Sequence, residues 1–314
     1  MSSTKYANAV GVVRAMENSL ITATDIDQMI AARSKADADA LLTAKKGTSD
    51  LNGELADVWN MLNEFAADSD ELKILLYKND FHNLKAVLKA VISNREPSLY
   101  YIQPSNAELS ALTDAFADKD YSILPEYMRK TAEEAYELLT ETLDGQLSDS
   151  LIDRACLEAM QKSAEKCGSK FMQKYAELTT VCADIKTAYR CSLMKKPRRF
   201  IETAVCGSNA LAKDILVNAA VEGADEVFAV LENSEYSDAA ALLKESPAKF
   251  EKWCDDVIME LAESSRYAAF GIEPLAAYFI AKEAEIKNLR ILSVCKESST
   301  DSQTITERMR KLYV

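Results

Sequence analysis

Chain breakers are scarce in this sequence. Eight glycines and six prolines punctuate 314 residues, about 4.5% against roughly 12% in average usage. Tight turns and hairpins therefore have few places to form. Alternation of apolar and polar residues is nowhere sustained as a strand would need. The chain is predicted to be all-α, with long helices joined by few loops.

Periodicity places several of these helices. Thr24-Asp25-Ile26-Asp27 offers an N-cap and an acidic first turn, an apolar-periodic segment runs on through Leu41 and Leu42, and Gly47 is a stop. From Ser69, a capping residue before Asp70 and Glu71, apolar side chains recur at Ile74, Tyr77, Phe81, Leu84, Leu88 and Val91, and the run stops before Pro97. Phe171, Tyr175, Leu178, Cys182, Ile185, Tyr189 and Leu193 repeat that spacing and end near Pro197. A further helix starts after Glu273-Pro274, with proline in the first turn.

Three of these helices carry a common motif of acid, large apolar, base, small polar, apolar. It reads Asp80-Phe81-His82-Asn83-Leu84, then Asp184-Ile185-Lys186-Thr187-Ala188, then Glu285-Ile286-Lys287-Asn288-Leu289. The acids stand 104 and 101 residues apart, too far for a solenoid repeat. Three related helical bundles are expected, spanning 1–100, 101–218 and 219–314. The echo between DQMIAARSKADADALL from Asp27 and DEVFAVLENSEYSDAAALL from Asp225 agrees with that. Phe81, Ile185 and Ile286 become equivalent core positions. The candidate structural or partner-contact residues are Asp80, His82, Asn83, Asp184, Lys186, Glu285, Lys287, Asn288 and Arg290, with Glu307 and Arg308 beside the last group in a polar network.

Charge limits the partners. With 37 Lys and Arg against 50 Asp and Glu, the net charge is −13 and the pI near 4.8, which disfavours nucleic acid and anionic lipid. The basic run Lys195-Lys196-Pro197-Arg198-Arg199 interrupts a helical pattern and reads as a solvated loop. The longest stretch free of charged residues and histidine, Pro97 to Ala107, is 11 residues, about half of what a membrane helix requires. The start of the chain shows no export signal, so a cytoplasmic location is expected. Seven cysteines, none in a C-x-x-C pair and none before Cys156, are expected to be reduced and mostly buried.

Chemistry has little to work with. A lone histidine, His82, cannot supply the paired ligands of a di-iron bundle or a zincin, and it occupies the position filled by Lys186 and Lys287. No phosphate-cradling glycine loop occurs. The DDxxxE segment Asp255, Asp256 and Glu260 resembles the magnesium-diphosphate motif of all-helical class I terpene synthases. The second metal motif of those enzymes is missing downstream. A solvated acidic face behind buried Trp253 and Ile258 is the alternative for this segment.

The C-terminal third carries the most specific signal: Glu273-Pro274, Tyr278, KEAEIKNLRIL over Lys282 to Leu292, and ITERMRKLYV over Ile305 to Val314. Together these resemble the subunit of rotary V-type ATPases called C in bacteria and archaea and d in eukaryotes. The resemblance implies three similar helical bundles arranged as a funnel, without catalytic residues or a cofactor. It implies a rotor part whose mouth receives the central stalk of D- and F-type subunits and whose base rests on the membrane ring of proteolipid subunits. Such a part is peripheral to the membrane and passes torque; the H⁺ or Na⁺ site lies in the ring. Three unequal repeats on one chain also predict a protein that is not an obligate homo-oligomer. The competing expectation is a magnesium-dependent, terpene-synthase-like enzyme using Asp255, Asp256 and Glu260.

Overall fold

The computed structural model of the chain describes residues 6–66 and 69–314, and among these every regular element is helical. The α-helices are α1 Ala7–Glu17, α2 Ala23–Ala31, α3 Lys35–Lys46, α4 Glu54–Ala66, α5 Asp70–Lys73, α6 Tyr77–Ser93, α7 Leu109–Asp118, α8 Glu126–Thr142 and α9 Gly145–Cys167. They continue with α10 Lys170–Leu193, α11 Arg198–Ala204, α12 Lys213–Glu222, α13 Ala224–Glu232, α14 Ser237–Glu245, α15 Pro247–Ser264, α16 Glu273–Glu297 and α17 Ser302–Arg308. None of the described helices is long and apolar enough to cross a membrane.

The chain divides into two compact units. One joins the two chain ends, through Ser69 and from Ala241 on; the other is Asp70–Ala240. In the first unit the single helix expected between Thr24 and Gly47 is two. Thr22, not Thr24, caps α2 in a reciprocal box with Asp25. The break at Ala32 is followed by a second cap, Ser34 accepting from the Asp37 N–H. Gly47 does end α3, at φ 81°, where a Cβ would be strained. Ile26, Met29 and Ile30 of α2 pack with Leu42 of α3, Leu289, Leu292 and Cys295 of α16, and Ile305 of α17.

Helix α16 starts at Glu273-Pro274 as expected, but its first turns are buried on every side: each residue from Pro274 to Lys282 is inaccessible. A helix apolar all round belongs inside a core, and here the Phe279 ring meets Trp59 edge to face at 5.5 Å.

In the second unit a 3₁₀ turn, Ile74–Leu76, separates α5 from α6. Buried side chains continue through Phe81, Leu84 and Leu88, and α6 ends with Asn94 in the left-handed region. Helix α10 buries Phe171, Tyr175, Leu178 and Ile185. Its predicted face drifts toward the end, where Ala188 is inside and Leu193 is 59% exposed. The basic run is half helical: Lys196 lies over the Phe200 ring at 4.5 Å, and Arg198 opens α11 paired with Glu202 at 3.3 Å. The seven cysteines are free thiols, with Cys156, Cys191 and Cys295 buried and the other four partly exposed, fewer buried than composition suggested.

Phe81, Ile185 and Ile286 are exposed by 1%, 0% and 5%, so all three are core positions. Ile286→Asp is expected to cost about 3 kcal/mol, from lost packing and a desolvated charge. An unchanged thermal midpoint would contradict this placement.

Candidate functional site

The three motif acids each hold a stretch of non-helical backbone. Asp80 is fully buried on α6. Its Oδ1 accepts from Ser105 Oγ (2.7 Å) and from the N–H of Asn106 (2.7 Å) and Ala107 (3.2 Å). Its Oδ2 accepts from Asn106 Nδ2 (2.8 Å) and the Tyr127 hydroxyl (2.5 Å). One turn on, Asn83 clamps Ile102 both ways, its Nδ2 donating to the carbonyl and its Oδ1 accepting from the N–H, each at 2.9 Å. Asn79 adds a bond to the Pro104 carbonyl at 2.8 Å. The segment before α7 thus finds on α6 the partners that its own backbone lacks. His82 points outward, with Nε2 3.3 Å from the Tyr100 carbonyl. Burial, then the Asp80 charge, push the Tyr127 hydroxyl far above the usual phenol range.

Asp184 does the same on α10, its two oxygens accepting from the N–H of Cys206 (2.9 Å) and Gly207 (2.6 Å). Thr187 stands where Asn83 stands on α6, and a threonine has no amide to clamp a peptide both ways. Gly207 has φ 84°, and a Cβ there would lie 2.7 Å from the Lys213 Cβ, so this captured turn requires glycine. Lys186, like His82, is exposed.

Burial pushes the Asp184 carboxyl up to about 6, against the two N–H bonds that favour its ionised form. From the ordinary value of 3.8 up to about 6, the folded chain keeps a proton that the unfolded chain has lost. Stability from this group is therefore greatest at the acidic end and declines as pH rises through that window, by ~3 kcal/mol in all. Comparing unfolding free energies of the wild type and Asp184→Asn from pH 4 to 7 isolates the slope. Parallel curves would refute it.

Glu285 on α16 is 2% exposed and accepts the Ile21 N–H at 2.6 Å through Oε2. Its Oε1 binds the ammoniums of Lys46 and, at 2.8 Å, Lys282. Both lysines also reach Glu54, at 2.6 and 2.5 Å, closing a buried set of two cations and two anions. Burial works against the Glu54 carboxylate, but the two ammoniums hold it below its ordinary value. Lys282 is raised in turn, desolvation being outweighed by Glu285 and Glu54. Asn288 repeats the Asn83 clamp on Arg310, its Nδ2 donating at 3.1 Å and its Oδ1 accepting at 2.8 Å.

The other candidates near the C-terminus separate rather than forming one network. Lys287 (2.6 Å) and Arg310 (2.9 Å) bind Asp255. Asp256 accepts the Lys311 N–H at 2.6 Å and pairs with Lys252 at 3.1 Å. Glu260 lies 3.5 Å from Lys311. Glu307 accepts from Gln303, and Arg308 donates to the Cys295 sulfur at 3.7 Å. Arg290 is exposed beside a cleft. Asp255, Asp256 and Glu260 thus spend their charge on lysines of α15 and α16 and on the C-terminal segment, which removes the ground for reading them as a magnesium motif. The solvated face holds for Glu260, which is exposed, while Asp255 and Asp256 are half-buried; behind them Trp253 and Ile258 are only partly buried, and Met259 is the buried residue.

Periodicity missed the partners. Lys282, three residues before Glu285, was legible as its ion-pair mate, and Ser105-Asn106 and Gly207-Ser208 are turn signals. Nothing local connects Ile21, Lys46 and Glu54 to Glu285, more than 230 residues away.

Comparison with known proteins gives the site a context. A family model described as ATP synthase (C/AC39) subunit matches residues 9–308. The C-type subunit of the V-type sodium ATPase of Enterococcus hirae is 28% identical over 273 residues, which cover 84% of this chain and 82% of that protein.

Proposed function

This chain belongs to the ATP synthase (C/AC39) subunit family, and from that premise we propose that it is a non-catalytic part of the rotor, joining the central stalk to the membrane ring. The observation that supports this reading is the family match, which runs across residues 9–308. Its partners in this reading are the D- and F-type stalk subunits and the proteolipid ring, and it is peripheral to the membrane. The buried acids support a structural use, because Asp80, Asp184 and Glu285 all tie backbone or cations of this chain. They support the threefold repeat as well. In the first two copies the captured backbone follows the motif, whereas in the third it is Ile21, so the N-terminal segment would complete the last bundle, and the chain would run as three repeats over about 1–100, 101–218 and 219–314 with its ends joined.

A torque coupler needs stiffness and two docking ends, not a nucleophile. Removing the subunit is expected to leave ATP hydrolysis by the catalytic head intact while abolishing ATP-driven ion transport. The complex with and without it, reconstituted in sealed vesicles with an ion-sensitive dye, tests this. Transport at a normal ratio to ATP turnover without the subunit would overturn the proposal.

A further inference from the structure

A cleft of about 610 Å³ opens between the start of α15, one face of α16 and α17. That volume is in the range of small-molecule sites, and its charge runs against the rest of the chain. The protein carries 50 acids to 37 bases, yet the cleft is lined by Lys249, Arg290, Arg308 and Arg310 with Glu307 as its one acid. Two of these cations are already committed, Lys249 to Glu245 and Arg310 to Asp255. Among the described residues Arg290 and Arg308 have no carboxylate partner; Arg308 is bonded only to the weak acceptor sulfur of Cys295. They come from different helices, α16 and α17, and line the same cleft.

We propose that this cleft binds a phosphate-bearing small anion, the phosphate taken between Arg290 and Arg308 and the organic body laid against Ile291 and Val294. A guanidinium presents five donors in a plane suited to two oxygens of one anion. A phosphate offers these two cations three oxygens or more and up to two negative charges, where a carboxylate offers two oxygens and one charge. Val294 is 61% exposed at the cleft, an apolar wall that a bare inorganic ion would leave wet. The same phosphate chemistry is carried by soluble nucleotides and by lipid headgroups.

The full-length protein can be titrated by calorimetry with pyrophosphate and with ATP, and by sedimentation with vesicles of phosphatidylglycerol or of phosphatidylcholine. The paired variant Arg290→Ala/Arg308→Ala, both positions being exposed, is compared with Arg33→Ala, an exposed charge elsewhere. Saturable binding of a soluble phosphate, or of the anionic vesicle alone, that weakens at least tenfold in the paired variant and stays unchanged in Arg33→Ala supports the proposal and identifies the source. Absence of binding at millimolar ligand, or equal binding by the paired variant, overturns it. Matching melting curves of the variants exclude unfolding as the cause of a loss. This result is independent of the coupling reading, which is decided by transport in vesicles.

Discussion

Asp80→Ala is expected to destabilise the chain by about 5 kcal/mol, the largest loss from any single substitution considered. The carboxylate is fully buried and accepts five hydrogen bonds. Truncation strands the buried N–H of Ala107 and the part-buried N–H of Asn106 and hydroxyl of Tyr127, and a buried donor left without a partner costs roughly 1–3 kcal/mol. Tyr127 stacks on Tyr77 with ring centroids 3.9 Å apart, so it is not free to swing out and find water. Asp80→Asn keeps one acceptor but sets an amide N–H₂ against donors, and should be nearly as damaging. Tyr127→Phe removes a donor together with its need for an acceptor, and should cost only about 1–2 kcal/mol. Urea titrations of the three variants give the order. A loss below about 1 kcal/mol for Asp80→Ala would mean that the 105–107 segment does not depend on this acid.

That a carboxylate holds a loop was half legible. The recurrence of an acid before Phe81, Ile185 and Ile286 marked the position, and helical geometry could have gone further. Residues 80, 83, 84 and 87 share a face one turn apart, while 82 points away, and burial follows that division: Asp80, Asn83, Leu84 and Val87 are inside and His82 is outside. Grouping His82 and Lys186 with the acids mixed two faces of one helix. The helix boundaries set by proline were read correctly, as at Glu273-Pro274 and before Pro197, because proline acts through its own ring and missing N–H. The break at Ala32 was not, because nothing at Ala32 forbids a helix. The chain turns there because Ser34 and Asp37 offer a second cap and because Ile30 and Leu42 must both face Leu289 and Leu292 in one core. Such a demand comes from residues more than 240 positions away, and a local pattern cannot carry it.

The same remoteness makes Glu285 the second position of large effect, with Glu285→Ala expected to cost about 4 kcal/mol. Burial of ion pairs recovers little net energy, but removing one partner leaves uncompensated charge, typically at 3–5 kcal/mol. Here Lys46 and Lys282 would be left sharing Glu54 alone, and the Ile21 N–H would lose its acceptor. Glu285→Gln separates the two roles, since its amide oxygen can still accept from Ile21 while the charge is gone. If the ion set dominates, both variants lose similar stability, and adding Lys282→Met to Glu285→Gln recovers part of it by removing the surplus cation. If the Ile21 bond dominates, Glu285→Gln is mild and Lys282→Met gives no recovery. Amide hydrogen exchange distinguishes the site of the damage. In Glu285→Ala the amides of Ile21 and the first turn of α2 should exchange faster, while those of α6 and α10 change little, because their segments are held by Asp80 and Asp184 instead. Uniform acceleration across all three would contradict a local closure, and with it the argument that each motif acid serves its own stretch of chain.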